Sequence, residues 1–170
     1  MKRAIVLAIS VILALTMAAP TVLAQGPPDG RAPEDVSEDP FTVNPGDIPG
    51  TCDFPLQHEL SGKAKTIELP DGGVGITSID TSPGLHVTVT NLANGEQATF
   101  NITGAFHASD DTPEHGQVTT MVSGRNFLWD PEAGTVLAIG NFSFVSDADD
   151  NNVRPLEGEG QLIDVCALLA

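Results

Sequence analysis

Leu85, Val87 and Val89 alternate with His86, Thr88 and Thr90 without a break. Thr99–His107 repeats the pattern, with Phe100, Ile102 and Phe106 on one face and Thr99, Asn101, Thr103 and His107 on the other. A period of two with threonine on the polar face is the mark of a half-buried antiparallel strand. Asn94-Gly95 lies between the two runs, which predicts a hairpin with a type I′ turn. Weaker strand patterns cover Cys52–Leu60, Lys63–Leu69, Val74–Ile79, Val118–Asn126, Thr135–Val145 and Leu156–Leu168. Turn-formers separate them, among them Ser61-Gly62, Ser82-Pro83-Gly84 and Asp130–Gly134. No segment carries a sustained helical stripe. The chain is therefore expected to be all-β, with about eight antiparallel strands.

Two cysteines bracket this region. Alternation puts Cys52, Phe54, Leu56, His58 and Leu60 on one face of the first strand, and Cys166, Asp164 and Leu162 on one face of the last. In an even-stranded meander that closes, these strands are antiparallel neighbours. A Cys52–Cys166 disulfide would then set Phe54 opposite Asp164 and His58 opposite Gly160. The pattern favours a closed meander barrel, which leaves no exposed edge, over a two-sheet sandwich with the bond between its sheets. Metal ligation or redox exchange by the cysteines has no local support, because no CxxC is present.

Composition divides the remainder. Lys2 and Arg3 precede an apolar run from Ala4 to Ala19, and Val22-Leu23-Ala24 offers a cleavage site before Gln25. Residues 1–24 thus read as a signal peptide of an exported, secreted protein. A permanent span needs roughly 20 apolar residues, and Pro20 interrupts this one. After cleavage no membrane span is expected. Residues 25–50 hold six prolines and little apolar surface, which predicts an extended flexible linker with Phe41 and Val43 as its docking points. Residues 51–170 form the single β domain. The whole chain carries a formal charge of −16, and the leader contributes basic residues only. So acidic a protein repels phosphate backbones, which excludes nucleic acid as a partner.

Candidate chemistry is sparse, and no cofactor motif is present. His107, Asp110, Asp111, Glu114 and His115 fall within nine residues and could ligate a divalent metal, but their spacing matches no established site and suits turn chemistry equally. Asp147–Asn152 opens like a calcium loop yet lacks glycine at the sixth position and glutamate at the twelfth. His58 lies on the apolar face of its strand. In a barrel it would point inward with Asp164 nearby, the arrangement of a general base; a core histidine satisfied by a carbonyl accounts for the pattern as well. No nucleophile elbow or phosphate loop occurs.

Ser61–Pro70, Gly124-Arg125-Asn126 ahead of Asp130–Gly134, Gly140–Phe144 and Gly160–Cys166 resemble segments of small secreted β-rich proteins of actinobacteria, a family without an assigned function. The resemblance spans residues 51–170. It implies an exported bacterial protein and supplies no active-site residues. A looser likeness to dirigent and allene-oxide-cyclase-like barrels rests on the strand meander alone. Two functions follow as expectations. One is a secreted, non-catalytic β domain binding a small apolar ligand or an extracellular partner. The other is a cofactor-free barrel enzyme with His58 or His107 as acid/base.

Overall fold

The computed structural model describes residues 32–69, 75–112, 117–147 and 152–170. The expected signal peptide lies outside them, as does most of the Asp147–Asn152 segment. The strands are β1 (Glu34–Ser37), β2 (Phe41–Val43), β3 (Leu56–Glu68), β4 (Ile76–Thr81), β5 (His86–Asn91) and β6 (Gln97–Asn101). They continue as β7 (Gly104–Thr112), β8 (Gln117–Asp130), β9 (Gly134–Ser146) and β10 (Asn152–Asp164), followed by one short helix, α1 (Val165–Leu169). All pairings are antiparallel, in the order β10-β9-β8-β7-β4-β3-β5-β6, with β1 and β2 also on β3. The all-β expectation holds, with ten strands in place of eight.

The sheet is open: β10 and β6 end it and do not pair, so the closed barrel is not formed. The expected neighbours, first strand and last, are kept apart at both cysteines. Pro55 lacks a backbone donor and stands just before β3, so Cys52 lies outside the ladder. Asp164 turns the chain out of β10, its side chain accepting from the Ala167 N–H as the N-cap of α1. The Cys52–Cys166 disulfide is formed, with Cα atoms 5.4 Å apart, but it joins a loop to a helix. His58 pairs with Phe41 and Val89 on its two flanking strands, and Asp164 pairs with Val136.

Long strands bend where glycine allows it. Ser61-Gly62 reads in the sequence as a break between strands, yet β3 runs through it. A Cβ on Gly62, at φ 128°, would collide with the Gly84 carbonyl, because the link between β4 and β5 crosses there. β5 takes residues 56–61 of β3 and β4 takes 65–68, so one strand serves two arms of the sheet. A second line of bends crosses four strands: Gly104 pairs with Gly124, Gly124 with Gly140, and Gly140 with Gly160.

These bends fold the sheet over itself and make two cores. Leu56 and Leu60 of β3 and Val87 and Val89 of β5 pack against Phe127 of β8 and Leu137 of β9. On the opposite face, Leu128, Val136 and Ala138 meet Val122 and Phe142 from beyond the glycine line.

Two local expectations change. The β5–β6 hairpin exists, but its loop runs from Leu92 to Glu96, and Asn91 and Asn94 side chains cap backbone N–H groups within it. The described part of the expected linker is built into the sheet. β1 and β2 pair with β3, Phe41 packs against the core, and Val43 and Ile48 are buried. Composition underrates this segment because β1 and β2 both lie along β3, with Val36 and Phe41 set against the core.

Candidate functional site

His58 sits near the start of β3 on its inward face, between Leu56 and Leu60, and is 0% exposed. Its imidazole stacks on Phe41 of β2, with centroids 5.0 Å apart and planes at 10°. Phe127 and Trp129, neighbours on one face of β8, each meet it edge-on with centroids at 5.5 Å. They also contact each other at 5.5 Å. An imidazole boxed by three aromatic rings loses nearly all hydration.

Neither ring nitrogen of His58, nor Nε1 of Trp129, has a hydrogen-bond partner among the described residues. Buried polar atoms are ordinarily paired, and each unpaired one costs about 1–3 kcal/mol. Burial drives the His58 pKa down from 6.5 to about 4, against a smaller upward pull from the Leu56 carbonyl. At neutral pH the side chain is therefore a neutral imidazole, with one donor and one acceptor.

A pocket of ≈ 60 Å³ opens beside this box. Its lining is mostly apolar, with Leu60, Val87, Ile102 and Phe106 joining the aromatic rings, while Thr66, Asp80, Thr81 and Ser82 supply a polar side. Thr66 donates to Asp80 across β3 and β4 at 2.5 Å. A water needs about 10–15 Å³ in such a space, so the pocket accommodates a few waters or one small organic group. It lies where β3 passes from one arm of the sheet to the other.

The sequence-predicted candidates do not converge on one site. His58 is at the pocket, but Asp164 is exposed at the end of β10 and accepts a hydrogen bond from the Ala167 N–H. No hydrogen bond joins the two. His107 is half-buried on β7 and pairs by backbone with Ile79 and Met121. Asp110 and Asp111 belong to β7, with side chains outside the description, and Glu114 and His115 lie outside the described residues altogether. Among the described residues, no three His, Cys, Asp or Glu side chains are placed to hold a metal ion.

Sequence reasoning missed Phe127 and Trp129, and it named Phe41 as a docking point without placing it beside His58. The alternation of Phe127 and Trp129 was a usable signal, but the expected strand stops at Asn126, one residue before it, whereas β8 runs to Asp130.

The site and fold define a class: an open, folded-over antiparallel β domain with a boxed histidine at a small apolar pocket. No protein-family model, curated protein or solved structure matches the chain.

Proposed function

We propose that this is an exported, non-catalytic β domain that binds a small, largely apolar molecule in the pocket beside His58. The observation that carries this reading is the group of unpartnered nitrogens on His58 and Trp129 at an otherwise apolar pocket. Small-molecule sites pair apolar walls with a few placed polar groups in this way. The disulfide suits an oxidising compartment, and no described helix is long and apolar enough to cross a membrane.

The acid/base reading lacks comparable support. An imidazole titrating near 4 is a weak base at neutral pH, and Asp164 is engaged in capping α1.

Native mass spectrometry of protein taken from its producing cells tests the proposal. A small mass that is retained at pH 7 and lost below pH 4, where His58 becomes charged, is the expected result. A bare polypeptide mass, together with Trp129 emission unmoved by small apolar solutes, would overturn it. Trp129 is the sole tryptophan and the chain has no tyrosine, so its fluorescence reports on this pocket alone.

A further inference from the structure

We infer that the ligand's buried polar group is a neutral hydroxyl, which donates to a ring nitrogen of His58 and accepts from the indole N–H of Trp129. The inference rests on the binding function proposed above and deepens it by naming the ligand chemistry.

The argument counts hydrogen-bonding valences. Trp129 Nε1 is a donor only, and it has no partner among the described residues. A neutral imidazole has one N–H and one lone pair. Neither His58 nitrogen has a partner among the described residues, so in either tautomer one of them stands as an unmet acceptor. The unmet valences of the residues lining the pocket therefore include one donor, on Trp129, and one acceptor, on His58. A hydroxyl complements both with a single oxygen. An ether or ketone oxygen accepts from Trp129 but leaves the His58 lone pair unmet, at the cost of an unsatisfied buried group. A carboxylate or ammonium would find an opposite charge only on the Lys65 and Asp80 side of the pocket, and against the three rings it would carry its desolvation penalty.

Size points the same way. The pocket, at ≈ 60 Å³, is well below the roughly 150 Å³ of a cavity that holds benzene. A hydroxyl on a short aliphatic chain is the smallest organic group meeting both valences. Phe41 and Phe127 then cover the first carbons of the chain.

The test is a matched titration of the wild-type protein at pH 7 with 1-butanol, methyl propyl ether and pentane, followed by Trp129 fluorescence. Far-UV circular dichroism is recorded in parallel to hold the series below unfolding concentrations. The expected result is butanol binding at least tenfold tighter than the ether, because a site built to pair a hydroxyl discriminates strongly against its loss. In His58→Phe the preference for butanol over ether should collapse while pentane binding persists. Equal or tighter binding of ether and pentane in the wild type would overturn the hydroxyl assignment and leave the apolar-ligand function standing. No response to any of the three, up to their solubility, would overturn both. The wild-type series decides by itself, so the outcome does not depend on whether the variant folds.

Discussion

His58 lowers the stability of the fold that contains it. Its two nitrogens are buried without partners, so a ring of similar size without polar atoms should pack better. His58→Phe is expected to raise the midpoint of thermal unfolding at pH 7 by several degrees, since about 1 kcal/mol shifts a domain of this size by roughly 2–4 °C. The pH dependence follows from linkage. The folded pKa, about 4, lies below the unfolded value near 6.5, so the unfolded chain takes up the proton first as pH falls. The penalty is absent above pH 6.5, grows between 6.5 and 4, and is complete below 4. At 1.36 kcal/mol per unit it amounts to about 3 kcal/mol. Urea unfolding at pH 7, 5.5 and 4 should show this loss in the wild type and its absence in His58→Phe; parallel acid limbs for the two proteins would refute the assignment. Asp130 is the contrasting case. It is equally buried, but accepts from the N–H groups of Glu132, Ala133 and Leu156 and so ties the β8–β9 turn to β10.

Glycine placement governs the elements. Gly140 occupies φ 147°, and a Cβ there would collide with the Glu159 carbonyl of β10. Gly140→Ala therefore has to push two paired strands apart or unwind the bend. A loss of about 3 kcal/mol or more is expected in chemical denaturation, because backbone strain and a steric clash add. A near-neutral effect would mean that the fold tolerates a straight β9. These bends mark the boundary of what the chain reveals by inspection. The inward positions Leu56, His58, Leu60, Val87 and Val89 were legible because each lies within an uninterrupted period of two. Gly62 was misread as a break, since glycine marks a turn and a bend with the same letter. Which it marks depends on the strand alongside, such as Gly84 beside Gly62, and that partner is distant in sequence. The pocket was half legible for the same reason: His58 came from local alternation, whereas Phe41, Phe127 and Trp129 reach it through pairing and folding-over.

The whole molecule is fastened at one end. Cys52 bonds Cys166, Asn91 and Asn94 both donate to the Leu169 carbonyl, and Thr135 donates to the Gly50 carbonyl. The start of the domain, the β5–β6 turn, the β8–β9 hairpin and α1 thus meet in one region. The disulfide spans a sequence separation of 114, for which chain entropy gives about 4–5 kcal/mol. The double variant Cys52→Ser, Cys166→Ser should lose stability on that scale in urea unfolding while keeping its β circular dichroism signal. Loss of the β signal itself would show that the bond is needed for the fold to form. The open edge of β10 carries Pro155, Glu157 and Glu159, residues that discourage strand addition by other chains. With a formal charge of −16, repulsion between molecules acts in the same direction.

The line of glycines across β7, β8, β9 and β10 also limits how the chain could change in length. Between Gly124 and Gly140 the two arms, 125–130 and 134–139, are matched residue for residue up to the turn. One residue inserted into a single arm would slide one glycine past its partner and present a side chain where a carbonyl already stands. A turn such as 131–133 absorbs an insertion without disturbing that match. Descendants and distant cousins of this domain should therefore differ in the lengths of their turns. The distance from each glycine to the end of its strand is the measure by which they would be known.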